Sequence, residues 1–293
     1  MFEKGTVIWK NSIGIMHERL ESSKISANKH FNSLLVRWKE FEKSTRGGID
    51  DVTVLLNQLY FIHVANYLYS IKNLQSAGRD VTPATISNDF AGNLFELCRG
   101  GEPFKIFSEL SEFLWDDGTE ESRSIMNCFV EETTIQATMK RMNQGGDMLS
   151  LTYQTLFSSN KKHSTGEFYT PMDLCNMMVE KLASRLPGAV VLDPSCGVGT
   201  FLVSWIEHAL HDKNIQDPVA GTEFRMHGWD INPVAIIGAR VNTWLGFPEG
   251  IVQFGDIVQN IKLKNALEDS EESASLKADV IIGNPPWVTL KDY

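Results

Sequence analysis

The segment from Val190 to Leu202 constrains the fold of this 293-residue chain more than any other stretch. An apolar run, Val190, Val191 and Leu192, ends in Asp193; a turn through Pro194, Ser195, Cys196, Gly197, Val198 and Gly199 follows, and a helical pattern begins at Thr200 and Phe201. A buried strand that ends in an acid and turns through glycines into a helix opens a parallel α/β unit, because parallel strands need a crossover between them. The glycines let the backbone turn sharply and approach a ligand closely. The spacing is not Gly-x-Gly-x-x-Gly, and no Lys-Ser or Lys-Thr pair closes the turn as in a phosphate loop.

The rest of the chain divides around this unit. Residues 189–192, 227–229, 251–254 and 280–282 read as short apolar strands, with helices over 201–210 and 233–245 among them. That alternation predicts a parallel sheet between helices. Before residue 188 only helices are predicted. Gly47 and Gly48 break the chain, and Asp50 is placed to cap a helix carrying Val52, Leu55, Leu56, Leu59, Ile62 and Leu68. Thr82 and Pro83 start another, closed by Gly100 and Gly101, and Pro103 opens the next. A long helix is expected over 120–142, a short one over 147–157 and a further one over 172–186. Polar stretches, 158–165, 212–223 and the acidic 268–275, read as solvated loops. The chain thus reads as a helical N-terminal domain, residues 1–146, and an α/β domain over 147–293.

Composition narrows the partners. Net charge is -10, and a protein that grips a duplex unaided usually carries a basic footprint, so most of the phosphate-binding surface is expected elsewhere. Cys98, Cys128, Cys175 and Cys196 show no Cys-x-x-Cys pairing, which argues against a disulfide framework or zinc site, and no metal is expected. The most apolar helix, over 52–71, is interrupted by Asn57, Gln58, His63 and Asn66 and does not suit a membrane span. The N-terminus lacks a signal-peptide pattern, and the cytoplasm is the expected location.

Three further motifs follow the glycine turn in order. Asp230 and Ile231 end the second strand, where nucleoside-binding α/β folds hold ribose hydroxyls; capping the helix at Pro233 is the plainer alternative. Asp256 and Ile257 follow the third predicted strand, where a carboxylate could accept a hydrogen bond from an adenine amino group. Asn284, Pro285, Pro286 and Trp287 follow the fourth. An exocyclic amine conjugated to an aromatic ring is a poor nucleophile, and a site that methylates it must accept both N–H hydrogens. The side-chain carbonyl of Asn284 and the backbone carbonyl of Pro285 are two such acceptors. The prolines hold the turn rigid without competing N–H donors, and Trp287 offers a flat face to a base swung out of the duplex.

With Asp193 and Pro194 at its start, the glycine turn resembles the cofactor loop of S-adenosylmethionine-dependent DNA methyltransferases. Phe168, Tyr169, Thr170 and Pro171 precede it by about 20 residues. Together with the Asn-Pro-Pro-Trp tetrad, this order resembles adenine-N6 DNA methyltransferases, which include modification subunits of type I restriction systems and type IIG enzymes. The resemblance is strong over residues 147–293 and weak before them. It implies a helical domain followed by an incomplete Rossmann-like α/β sheet, S-adenosylmethionine as cofactor, and methyl transfer to N6 of a flipped adenine. It further implies that Phe168, Tyr169, Thr170, Pro171, Asp193, Pro194, Ser195, Cys196, Gly197, Gly199, Thr200, Phe201, Asp230, Ile231, Asp256 and Ile257 line the cofactor site, with Asn284, Pro285, Pro286 and Trp287 catalytic. Double-stranded DNA is the implied substrate, and specificity or restriction subunits are implied partners.

Only six residues follow Trp287, and a sheet ending there leaves an exposed edge. A complementing C-terminal region or chain is therefore expected, whether the piece comes from a longer polypeptide or a split enzyme. No acid-x-Lys triplet occurs, so a nuclease of the common restriction type is not expected within the chain. Two rival readings stay open. One is methylation of a protein glutamine by an Asn-Pro-Pro tetrad, disfavoured by the Phe-Tyr-Thr-Pro element; the other is a non-catalytic cofactor-binding or assembly module.

Overall fold

A computed structural model describes residues 1–22, 27–46, 51–115, 120–157, 170–183, 185–186, 188–211, 225–268 and 275–286. Asp50, Phe168, Tyr169, Trp287 and the loop expectations for 158–165 and 212–223 fall outside them, as does most of 268–275. The chain forms two compact units, one of residues 1–143 with 151–157, the other of 144–150 with 158–293.

The first unit is helical: α1 (Val7–Glu21), α2 (Lys29–Arg46), α3 (Val52–Ser76), α4 (Pro83–Leu97), α5 (Glu102–Trp115), α6 (Glu120–Asn127), α7 (Glu132–Met142) and most of α8 (Ser150–Phe157). Helix α3 is its core, buried around nearly its whole circumference. Asn57, Gln58 and Asn66, three of the polar residues that interrupt its apolar run, are hydrogen-bonded to other parts of the unit. Gln58 accepts from the Trp38 indole at 2.8 Å and donates to Glu42 at 2.6 Å, and Asn66 donates to the Phe90 carbonyl at 2.8 Å. No helix among the described residues is long and apolar enough to cross a membrane. The cap of α3 is Asp51, whose side chain accepts from the Thr53 N–H at 2.8 Å. Thr82 caps α4 with a reciprocal capping box, as its Thr-Pro start predicts.

The single helix expected over 120–142 is instead two, broken at residues 128–131. Phe129 and Val130 drop into the core at the break, and Phe129 packs against Phe2, Tyr60 and Tyr67 at ring separations of 5.8–6.2 Å. Burial of that aromatic cluster outweighs continuing the helical ladder.

The second unit holds a parallel sheet of β1 (Val191–Asp193), β2 (Met226–Asp230), β3 (Ile261–Leu263) and β4 (Val280–Ile281), with α9 (Met172–Ala183), α10 (Thr200–His211), α11 (Pro233–Gly246) and α12 (Phe254–Asn260). The strand order is β3-β2-β1-β4, every pairing parallel, with Asp193 opposite Gly228 and Leu192 opposite Ile281. The architecture is α/β, mostly helical with a small parallel sheet. The order reverses between β1 and β4, and open sheets of this kind receive ligands outside the carboxyl ends of the strands at such a point.

The third strand lies nine to ten residues later than the sequence predicts. Residues 251–253 are turn and cap, and Phe254 begins helix α12. Gln253 and Asp256 form a reciprocal capping box, while Phe254 and Ile257, three apart, are both buried. Helical spacing of those two side chains overrides the apparent strand run.

Candidate functional site

The carboxyl ends of β1 and β2 carry the two acids. Asp193 is 1% exposed and accepts from the Ser195 N–H at 3.1 Å. Burial pushes its carboxyl up to about 8, helped by the nearby negative charge of Asp230 and opposed by the Ser195 hydrogen bond. Asp230 ties the glycine turn to the sheet. One of its oxygens accepts from the Gly197 N–H at 2.9 Å and the other from the Asn232 N–H at 2.9 Å. The helix cap that the sequence offered to Asp230 belongs to Asn232, whose side chain accepts from the Val234 N–H at 3.1 Å.

The glycine turn needs its glycines. Gly197 and Gly199 have φ of +53° and +85°, in the left-handed region. A Cβ on Gly197 would meet nothing within 4 Å, whereas one on Gly199 would lie 3.3 Å from the Ala239 backbone. Gly197 therefore serves conformation with open space beside it, and Gly199 serves packing against α11. Cys196 is buried, and that burial, with Asp230 and Asp193 adding, drives its thiol well above the ordinary range. It stays protonated and is not a nucleophile. The Ser195 hydroxyl oxygen is buried without a hydrogen-bond partner among the described residues. Thr200 and Phe201 are buried at the start of α10, Pro194 is half-buried, and Ile231 is exposed just beyond Asp230.

A layer that sequence reasoning missed supports the turn. Asn242, fully buried on α11, donates to the Val198 carbonyl at 3.1 Å and to Asp147 at 2.8 Å, and accepts from the Met148 N–H at 2.9 Å. Ser150 meets the Thr200 hydroxyl at 2.8 Å and also bonds Asp147. The available signal was an amide within an otherwise apolar helix and an acid three residues ahead of a serine.

The turn after β4 closes on the same end of the sheet. Ile282 N–H donates to the Leu192 carbonyl at 3.0 Å. A Cβ on Gly283 would sit 2.4 Å from an Asp193 carboxylate oxygen, so this backbone rests directly against the acid. Gly283, not singled out from sequence, is what allows that approach. Gly283→Ala is expected to destabilise the protein by about 1–3 kcal/mol through overpacking. Urea unfolding measures this, and an unchanged midpoint would contradict the contact. Asn284 donates from Nδ2 to the Thr170 hydroxyl oxygen at 3.1 Å across 114 residues of sequence, and Pro285 and Pro286 are exposed.

The structure thus gathers Asp193, Ser195, Gly197 and Asp230 at the glycine turn, and ties Gly283 to Asp193 and Asn284 to Thr170, with Pro171 leading into α9. Asp256 joins none of these hydrogen bonds. It is exposed on the first turn of α12, ahead of β3, and accepts from the Gln253 N–H at 3.3 Å. Ile257 is in the core.

A family model described as N-6 DNA Methylase matches residues 144–292. The Type II methyltransferase M.VspI of Vibrio sp. (strain 343) is 29% identical over 141 residues, covering 47% of this chain and 29% of that protein. The Type I restriction enzyme MjaVIII methylase subunit of Methanocaldococcus jannaschii is 28% identical over 129 residues, 43% of this chain and 20% of the relative. The chain therefore spans less than a third of the length of these relatives. Among solved structures, a DrdV–DNA complex superposes with a TM-score of 0.49 at 16% identity, covering 95% of this chain and 28% of the other.

Proposed function

The chain belongs to the N-6 DNA Methylase family, and from that premise we propose that it forms the cofactor-binding and acceptor half of an enzyme that methylates N6 of adenine in DNA. S-adenosylmethionine is the proposed methyl donor. The observation that carries the reading is the contact of the Gly283 backbone with Asp193, which sets the Asn-Pro-Pro turn beside the glycine turn.

The residues at the glycine turn fit such a cofactor. The space beside Gly197 admits a ligand against the backbone, the orphaned Ser195 hydroxyl offers a hydrogen bond, and Asp193 is a buried partner for an ammonium. Asp230, already holding the turn, presents a carboxylate to ribose hydroxyls, with Ile231 as an exposed apolar face beside it. Gly199, Pro194, Cys196, Thr200 and Phe201 shape the turn, and Thr170 and Pro171 adjoin it through Asn284. Phe168 and Tyr169, with Asp256 and Ile257, join the proposed pocket by resemblance. When bound, the cofactor supplies an electrophilic methyl group.

The chain's own work is on the amine. With Nδ2 of Asn284 committed to Thr170, Oδ1 is the end of the amide that accepts an amine hydrogen, and the Pro285 carbonyl accepts the second. Accepting both turns the nitrogen lone pair out of the ring plane, towards the methyl group. Pro286 stiffens the turn, and Trp287 is proposed to stack on the base. Positioning and fixed dipoles carry such a transfer without a covalent enzyme intermediate. The reading places the domain in a Rossmann-like sheet, with DNA contacts and further subunits supplied largely from beyond these residues.

Incubation with isotopically labelled cofactor and DNA, followed by nucleoside digestion and mass spectrometry, tests the reading. Label in N6-methyldeoxyadenosine is expected. Label in N4-methylcytosine, or in protein glutamine instead of DNA, would overturn it.

A further inference from the structure

We propose that Asn242 is a positioning residue for cofactor binding: it fixes the Val198 peptide and with it the glycine turn, so that its loss weakens the cofactor's hold. This rests on the reading of the glycine turn as the cofactor site. Val198 lies between Gly197 and Gly199, whose φ values are +53° and +85°. Glycine reaches positive and negative φ about equally well, so a residue flanked by two of them has little local preference for its peptide planes. The turn must take its shape from outside. Strand β2 supplies one tie, with the Asp230 carboxylate on the Gly197 N–H and the Trp229 carbonyl on the Cys196 N–H, both at 2.9 Å. Neither reaches the peptide that joins Val198 to Gly199. That peptide is held at both ends by other groups. Its N–H donates to the Cys196 carbonyl within the turn at 2.8 Å, and its carbonyl accepts from Asn242 on α11 at 3.1 Å.

The Asn242 amide has a single orientation, because a backbone N–H only donates and a backbone carbonyl only accepts. Its Oδ1 takes the Met148 N–H at 2.9 Å, and its Nδ2 donates to the Val198 carbonyl and, at 2.8 Å, to Asp147 Oδ1. A buried side chain with its bonds satisfied in this way makes what it touches rigid. Gly199 permits the reach: a Cβ there would lie 3.3 Å from the backbone of Ala239, three residues before Asn242 on the same helix. Asp147 is in turn fixed by the Leu149 and Ser150 N–H groups, which donate to it at 3.1 and 2.8 Å. The Ser150 hydroxyl lies 2.8 Å from that of Thr200, the first residue of α10. The segment from Asp147 to Ser150 thus braces the turn twice, through Asn242 at Val198 and through Ser150 where the turn enters the helix.

Calorimetric titration of S-adenosylmethionine into the chain reads the effect. In Asn242→Ala the turn holds its binding arrangement for only a fraction of the molecules, and the apparent Kd rises as the inverse of that fraction. A rise of about tenfold is expected, the worth of one hydrogen bond at the upper end of its usual range. Asn242→Ser, which lets water reach the polar groups left behind, should move Kd in the same direction and serves if the alanine variant does not fold. Asp147→Ala should weaken binding by less, and Asp147→Asn, which keeps Oδ1 as an acceptor, should return Kd to within about twofold of wild type. Ser204→Ala is the control for stability alone, since it removes a hydrogen bond to Asn176 at 2.6 Å between α10 and α9. It should lower the melting temperature and leave Kd unchanged. Independently of binding, the Gly199 nitrogen shares its peptide with the Val198 carbonyl, so its resonance should shift in Asn242→Ala and stay in place in Ser204→Ala. A wild-type Kd in Asn242→Ala or Asn242→Ser, an equal loss of affinity in Ser204→Ala, or an unmoved Gly199 resonance would each overturn the proposal. Absence of cofactor binding by the wild type would instead sink the reading of the turn, while the resonance would still test the Asn242–Val198 bond.

Discussion

Asn284→Ala is expected to lower kcat for methyl transfer by about 1,000-fold or more while cofactor affinity stays within a few fold. Removing one preorganised polar group aimed at developing charge costs about 100–1,000-fold in comparable sites. Here the loss compounds, because the adenine amine keeps its lone pair in conjugation with the ring unless both hydrogens are accepted. Cofactor affinity is spared because the groups at the glycine turn, Asp193 with Ser195 and Asp230 with Gly197, are held by bonds that do not involve Asn284. Single-turnover rates with saturating enzyme, beside equilibrium dialysis of the cofactor, separate the two effects. Near-wild-type turnover would remove Asn284 from the chemistry.

The second large effect concerns Asp193. Its carboxyl titrates near 8 because it is buried, so at pH 7 it is mostly protonated before a cation arrives. The partner ammonium is charged at neutral pH and discharges only as the pH rises through its own higher pKa. Pairing needs an ionised carboxylate and a charged ammonium, so binding below pH 8 releases a proton. Cofactor affinity should fall about tenfold per unit below pH 8 and decline again above it, as the amine discharges. Asp193→Asn should lose most of the affinity and all of the acid limb. Titrations from pH 6 to 9 check this, and a flat wild-type profile would contradict a proton-linked Asp193.

Stability should move the opposite way. The folded-state pKa lies above the unfolded value of about 3.9, so the protonated carboxyl's contribution is fully present below that value. It is lost as pH rises through about 8. Asp193→Asn, which never ionises, should gain in melting temperature relative to wild type as pH climbs from 5 to 8.

The parts of this site legible in the sequence were those set by local pattern. The run Val190 to Leu192, the acid at its end and the glycines after it specify strand, turn and helix without outside help, and β1, β2 and β4 appear close to their expected places. The apolar run at 251–254 misled because a short strand and the entry to a helical turn look alike in so short a stretch, and the capping box at Gln253 decided it. The break at Phe129 was invisible because its cause is a cluster of rings from α3 and the N-terminus. Contacts between distant segments were equally hidden. Nothing local to Gly283 says that an acid 90 residues earlier lies against it, and nothing local to Thr170 says that its partner is Asn284.

Calorimetric titration of S-adenosylmethionine into the chain at pH 8 tests most directly whether the glycine turn is a cofactor site. One-to-one binding is expected, with most of the affinity lost in Asp193→Asn and a sharp weakening in Asp230→Ala. Absence of binding, or binding that survives the loss of both Asp193 and Asp230, would contradict it.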